Sequence, residues 1–152
     1  HQVQHRLSVV AEHPVTAGLP AEFEMTDELY LCPMFTGNVE PLLTSDYDFD
    51  CDHFYSASLA VAGEMFSREG WQHPPGNSTV AWVKHYRNSP IVYIQGGDDA
   101  TAWNDPNYQR LLGNAIAWVA SAGAHAWARE RYQAEQQVQD QQRTRGVAGG
   151  HA

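Results

Sequence analysis

The segment VAWVKHYRNSPIVYIQGGDDATAWNDPNYQRLLGNAIAWVAS, residues 80–121, carries the clearest structural signals in the chain. Its first six residues alternate between two faces, which predicts a strand. The composition of RNSP indicates a turn, and IVYIQ (91–95) is a continuous apolar run, as found in strands covered on both faces. GGDD (96–99) then begins a loop. The segment therefore opens with two strands.

A helix follows the loop. Asp105 before Pro106 is a typical helix start, with a carboxylate N-cap followed by proline at the first helical position. Apolar residues at helical spacing predict one buried face: Tyr108, Leu111, Leu112, Ala115 and Val119. Gly123 can end this helix. Two strands and a long helix predict the closing half of a layered α/β fold.

The rest of the chain is less regular. RLSVVA (6–11) and VEPLLT (39–44) favour short strands, but residues 1–75 contain no convincing crossover helix. Because a parallel sheet needs several βα units, we expect the opening half of the domain to be missing. Residues 123–152 form a polar tail, predicted to be partly helical and then disordered from residue 143. A helical arm that forms a homodimer is the alternative.

Charge and composition exclude several classes of protein. The net charge of −9 argues against nucleic acid and anionic membrane surfaces as partners. No apolar run approaches the roughly 20 residues that span a bilayer. Cys32 and Cys51 fit no metal spacing, so we expect both to be reduced and unpaired. We expect a cytoplasmic protein, and a periplasmic location stays open because the chain begins at His1 rather than Met.

Two stretches resemble the trehalose-utilisation (ThuA-like) family: HPVTAGLPAEFEMTDELY (13–30) and the segment 80–121. The resemblance covers residues 1–122 and rests on the order and spacing of both stretches. It implies a flavodoxin-like sheet with flanking helices, as in class I glutamine amidotransferases, of which this chain is the later part. It also implies carbohydrate catabolism, acting on trehalose, related disaccharides or their keto derivatives. The alternative is a non-catalytic amidotransferase-like module that binds a sugar or a protein.

The chain also departs from the family pattern. The family's closing loop often reads Gly-His, whereas here Gly97 precedes Asp98, so no histidine role carries over to this loop. These residues also show no nucleophilic cysteine elbow, and glutaminase chemistry is therefore not supported. Whether the protein is an enzyme, and which cofactor it uses, stays open.

Three polar residues are the catalytic candidates. His13 begins the first motif and can shuttle protons or bind a metal. Glu28, which we favour over Asp27, can act as acid or base near His13. Asp98 follows a strand, where ligands of open α/β sheets bind, and can accept hydrogen bonds from sugar hydroxyls. Each residue has an alternative interpretation. His13 could hydrogen-bond a loop carbonyl, Glu28 could be a capping acid that faces water, and Asp98 could lie in a solvated turn.

Substrate-binding candidates lie in two loops. In WQHPPGN (71–77), Trp71 can stack on the apolar face of a sugar, with His73 beside it. In the GGDD loop, Gly97 lets the backbone approach a ligand, and Asp99 offers acceptors. We predict that both loops border one cleft. The alternative is that Trp71 covers the edge of the core.

A metal site is a further alternative. His1 and His5 have i, i+4 spacing, and together with His13 they would form a histidine-rich pocket. The chain holds eight histidines, so chance is a fair rival explanation. The sequence does not indicate which metal such a site would bind.

Overall fold

The computed structural model describes residues 2–148; for residue 38 and residues 145–148 it describes the backbone alone. The strands are β1 (Gln2–Val9), β2 (Glu22–Glu28), β3 (Glu40–Ser45), β4 (Thr79–Tyr86) and β5 (Ser89–Ile94). The α-helices are α1 (Ala57–Val61), α2 (Ala100–Trp103), α3 (Pro106–Val119) and α4 (Ala122–Ala148). Short 3-10 helices cover Pro14–Thr16, Thr36–Asn38 and Cys51–His53.

The strands form one sheet in the order β2-β1-β3-β4-β5, and each neighbouring pair is antiparallel. The parallel, flavodoxin-like sheet that we predicted is not confirmed. The connection between β4 and β5 shows why, because Arg87 and Asn88 alone join them. Two residues can link antiparallel strands, whereas a parallel pair needs a crossover of a dozen or more. The apolar run 91–95 lies largely in the edge strand β5 and is only half-buried, so the prediction of a doubly covered strand was wrong.

Helix α3 packs on the sheet as its sequence predicted. The Asp105 carboxylate accepts hydrogen bonds from the backbone N–H groups of Asn107 and Tyr108, at 2.8 and 3.0 Å. The side chains of Tyr108, Leu111, Ala115 and Trp118 are buried on one face. They meet the inward residues of the strands in a single core. Gly123 does not end this helix, which stops at Val119, and lies instead inside α4.

Helix α4 begins against the body and then leaves it. Ala124 and Ala128 are fully buried, and α4 contacts β4 and β5. Trp127 lies edge-on against Trp118, with ring centroids 5.3 Å apart. The helix continues to Ala148, whereas we predicted disorder from residue 143, because alanine, glutamine and arginine are strong helix formers. Residues 149–152 of that predicted tail lie outside the described residues.

The sheet curls so that the two edge strands approach each other at one end. Asp27 lies on β2, at one edge, and Gly97 follows β5, at the other. The Gly97 N–H nevertheless donates to Asp27 Oδ2 at 2.7 Å. The curl thus brings the GGDD loop over the end of β2. Between residues 2 and 148, no helix combines the length and apolar character needed to cross a membrane.

Candidate functional site

A surface pocket of about 590 Å³ lies beside the end of β2. We call it the aromatic pocket, and its principal lining residues are Glu28, Tyr30, Phe54, Tyr55, Phe66 and Trp71. Its volume falls within the roughly 300–1,000 Å³ that is usual for small-molecule sites. Two of the predicted site residues, Glu28 and Trp71, therefore face the same space.

Glu28 and Tyr30 form the polar part of the pocket. The Tyr30 hydroxyl donates to Glu28 Oε2 at 2.7 Å, and this hydrogen bond raises the pKa of Tyr30 to about 12. Tyr30 is 45% exposed, because the chain leaves the sheet after Glu28. The Glu28 N–H donates to Asp27 Oδ1 at 2.8 Å, and this bond fixes the backbone of Glu28.

The WQHPPGN loop contributes one aromatic ring to the pocket. Trp71 is half-buried against the core and also lines the pocket. The His73 ring lies 5.9 Å from the Trp71 ring but does not line the pocket. A His73 ring N–H donates to the carbonyl of Pro74 at 2.7 Å, and the Gly76 N–H donates to the carbonyl of Phe49 at 2.8 Å. These bonds hold the loop, and with it Trp71, against the body.

The GGDD loop lies beside the pocket without lining it. The Gly97 N–H is bonded to Asp27, and the Gly97 carbonyl accepts from Trp103 Nε1 at 3.0 Å. Asp99 caps α2 by accepting from the Thr101 N–H at 2.7 Å, and it also accepts from the Gln2 side chain. Both residues that we predicted to bind substrate thus have partners within the protein.

Asp98 comes closest to linking the two loops. Its side chain is exposed, and its N–H donates to Asp27 Oδ1 at 3.2 Å. Its charge helps to raise the pKa of Tyr30, after the hydrogen bond from Tyr30 to Glu28 and burial of the phenol. Asp98 therefore acts on a residue of the pocket, while Trp71 lines the pocket itself. A single cleft bordered by both loops remains a prediction.

Sequence reasoning ranked Asp27 below Glu28, although Asp27 is the acid that organises this region. Its side chain is 1% exposed and accepts hydrogen bonds from three backbone N–H groups, those of Glu28, Gly97 and Asp98. The signal was present in EFEMTDE (22–28), because alternation places Asp27 on the inward face with Phe23 and Met25. An acid at a buried position needs such partners, since an unpaired buried charge is very unfavourable.

His13 lies at the other end of the sheet. It follows the C-terminal end of β1, whereas Gln2 at the N-terminal end contacts Asp99. The eight residues of β1, at about 3.3 Å each, separate the two ends by on the order of 20 Å. The structure therefore does not bring His13 together with Glu28 or Asp98.

The contacts of His13 are those of a helix cap. Its Nδ1 accepts a hydrogen bond from the Val15 N–H at 3.2 Å, at the start of the 3-10 helix Pro14–Thr16. Its ring lies edge-on to Trp118 with centroids 4.7 Å apart. Burial lowers the pKa of His13, and the charge of Glu40 opposes this. The hydrogen-bond partner of His13 is thus the Val15 N–H, and not a loop carbonyl as in the alternative interpretation of the sequence.

The structure brings no histidine-rich metal pocket together in the part of the chain that it describes. His5 is buried against Ser45, and His1 lies outside the described residues. Within residues 2–148, the one cluster of three potential ligands with suitable spacing is Asp50, Cys51 and Asp52. Asp50 there accepts from the Asp52 N–H at 3.1 Å, as a helix cap does. No metal role follows from this arrangement.

Comparison with known proteins identifies the family. The family model ThuA, described as trehalose utilisation, matches residues 1–119. This range runs from β1 to the last residue of α3 and includes every residue that lines the aromatic pocket. No curated protein and no solved structure matches the chain. Because the match extends over most of its length, the chain belongs to the ThuA trehalose-utilisation family.

Proposed function

We propose that the protein serves carbohydrate catabolism by taking trehalose, a related disaccharide or a keto derivative into the aromatic pocket. One observation carries the proposal: Trp71 and Glu28 line the same pocket of about 590 Å³. Membership of a trehalose-utilisation family supports a sugar as the ligand.

The two side chains suit complementary parts of a sugar. The indole of Trp71 offers apolar area to the C–H face of a pyranose ring, and the braced loop limits the entropy lost on binding. The carboxylate of Glu28 offers acceptors to hydroxyl groups, and hydrogen bonds to a charged group contribute roughly 1.5–3 kcal/mol each. The exposed edge of Tyr30 adds a second aromatic surface beside that carboxylate.

The same geometry supports a second candidate, a sugar-binding module without catalysis. Hydrolysis of a glycosidic bond generally uses two carboxyl groups on either side of it. Among the described residues that line the aromatic pocket, Glu28 is the one carboxylate. His13 cannot serve as its partner, since the length of β1 separates them. Glu28 alone suits proton transfer on a keto sugar, or binding without reaction.

Titration calorimetry with trehalose, a second disaccharide and a keto disaccharide tests the proposal. Trp71→Ala should weaken binding tenfold or more, equal to ~1.4 kcal/mol. Tyr86→Ala removes an exposed aromatic ring outside the pocket and should leave affinity unchanged. Failure of all three sugars to bind, or full affinity in Trp71→Ala, would contradict the proposal.

A second measurement separates an enzyme from a binding module. Carbon-13 NMR follows each sugar during incubation with the protein. If Glu28 is an acid or base, Glu28→Gln should stop conversion while binding persists, and Glu22→Gln, an exposed acid on the same strand, should not. Unchanged sugar in the presence of the unaltered protein identifies the binding module.

We also propose the cytoplasm as the compartment. Cys32 is exposed and Cys51 half-buried, and both are free thiols. Free, accessible thiols fit a reducing environment better than an oxidising one, where disulfides persist.

A further inference from the structure

Three buried polar side chains lie together on the inward face of the sheet, outside the aromatic pocket. His5 is 6% exposed, Ser45 7% and Asp27 1%. They come from β1, from the end of β3 and from β2. The proposed function uses none of their side chains directly, so their burial needs another explanation.

The His5 ring has a partner on one side and none on the other. Its Nδ1 lies 2.9 Å from Ser45 Oγ, which already accepts from the Tyr47 N–H at 3.1 Å. Among the described hydrogen bonds the Ser45 hydroxyl has no other acceptor for its proton, so we assign it as the donor to Nδ1, which places the ring proton on Nε2. Nε2 is buried and has no hydrogen-bond partner among the residues that the structure describes. A buried donor without a partner is energetically unfavourable, so Nε2 needs one.

A small cavity adjoins this ring. It measures about 20 Å³, and its lining includes His5, Asp27 and Gly96 among mainly apolar side chains. A buried water needs roughly 10–15 Å³ of such space and polar partners, so one water fits, and a sugar does not. The cavity is thus the right size for the partner that Nε2 lacks.

Asp27 supplies the second partner. Its Oδ1 accepts from the N–H groups of Glu28 and Asp98, and within the described part of the chain its Oδ2 accepts from that of Gly97 alone. Since each carboxylate oxygen accepts about two hydrogen bonds, Oδ2 retains capacity for one more.

We propose that one buried water fills this cavity and joins His5 to Asp27. The His5 Nε2–H donates to the water, and the water donates to Asp27 Oδ2. The resulting chain Ser45–His5–water–Asp27 makes His5 a positioning residue for the GGDD loop, because the same carboxylate accepts hydrogen bonds from the Gly97 and Asp98 N–H groups of that loop. This inference does not depend on which sugar, if any, the protein binds.

A hydrolytic Ser-His-Asp site does not explain the cluster. In such a site the serine is bonded to the nitrogen that faces the substrate, and the aspartate orients the other nitrogen. Here Ser45 is only 7% exposed, and its Oγ also accepts a hydrogen bond from the Tyr47 N–H. No substrate can reach a hydroxyl held in this way, whereas a trapped water needs no access.

NMR spectroscopy of the 15N-labelled chain tests the proposal without any substitution. Long-range proton–nitrogen spectra should show His5 as the neutral Nε2–H tautomer. That proton should give a nuclear Overhauser cross-peak to a long-lived water. The opposite tautomer without a water cross-peak would overturn the proposal.

Two variants test the effect on the loop. His5→Phe keeps an aromatic ring but removes both nitrogens, and it should speed hydrogen exchange of the Gly97 and Asp98 amides tenfold or more. Asp27→Asn should shift the His5 ring nitrogen signals and remove the water cross-peak. Gln4→Ala, on the exposed face of the same strand, should change neither. Loop exchange in His5→Phe equal to that of the unaltered protein would refute the positioning role, and the wild-type spectra decide the water site if a variant fails to fold.

Discussion

Replacing Gly97 by alanine should destabilise the protein through two separate effects. The backbone at Gly97 has φ +116°, a conformation that residues with a Cβ rarely adopt. A Cβ added there would lie 2.3 Å from Tyr108 Oη and 3.1 Å from Tyr108 Cζ. Tyr108 is buried, and its hydroxyl donates to the Gly96 carbonyl at 3.1 Å, so its ring cannot move without loss of that bond.

The expected magnitude follows from these two terms. Holding a non-glycine residue in a sparsely populated backbone region destabilises by roughly 1–3 kcal/mol. Loss of a hydrogen bond adds about 1 kcal/mol. The sum of ~2–4 kcal/mol corresponds to a fall in Tm of roughly 4–16 °C for a chain of this length.

Thermal unfolding followed by circular dichroism measures this effect, and a second glycine provides the control. Gly113 lies within α3, and a Cβ added there would meet nothing within 4 Å. Gly113→Ala should therefore stabilise by about 0.5–1 kcal/mol, because glycine is unfavourable inside a helix. Adding Tyr108→Phe to Gly97→Ala removes the clashing oxygen and should recover part of the loss. A Tm of Gly97→Ala equal to that of the unaltered protein would refute this account of the loop.

Three further predictions concern the rest of the fold. Asp105→Ala removes two capping hydrogen bonds from α3 and should destabilise by about 0.5–2 kcal/mol in urea unfolding, whereas Asp105→Asn should retain most of the stability. Burial lowers the pKa of His5 below its ordinary value of 6.5, so the unfolded chain takes up the proton first as the pH falls. The free energy of unfolding should therefore fall as the pH drops from about 6.5 to the lowered pKa of His5 in the folded state, and His5→Phe should flatten this decline. A chain that ends at Ser121 loses the contact of Trp127 with Trp118 and the buried Ala124 and Ala128, and should lose at least ~3 kcal/mol, with increased binding of a hydrophobic dye. Unchanged stability in urea would show that α4 is dispensable.

Local features of the fold were predictable from the sequence. Asp105 and Pro106 determine the start of α3 through contacts within one turn, and the two-residue connection of β4 and β5 is equally local. Pairing of distant strands was not predictable. The run 91–95 looks the same in a central strand and in an edge strand, because its apolar character does not reveal what covers it. The antiparallel order of the sheet therefore came only from the structure.

The candidate site was predictable to a similar degree. Glu28 was identified from the family motif and Trp71 from its residue type and loop context, and both line the aromatic pocket. His13 was grouped with them because proximity in a motif was taken for proximity in space. The strand β1 runs between the two ends of the sheet and separates them. Asp27 was ranked below Glu28 because the family motif retains an acid at position 28.

Asp27 also explains how a loop outside the pocket can influence it. One carboxylate accepts from Glu28, which lines the pocket, and from Gly97 and Asp98 in the GGDD loop. A shift of the loop therefore changes the bonds that fix the backbone of Glu28. The close approach leaves no space for a side chain at Gly96, where an added Cβ would lie 2.5 Å from Asp27 Oδ2. Because Gly96 and Gly97 have no side chains, the loop approaches the buried Asp27 carboxylate closely, and this contact joins the two edges of the curled sheet beside the pocket.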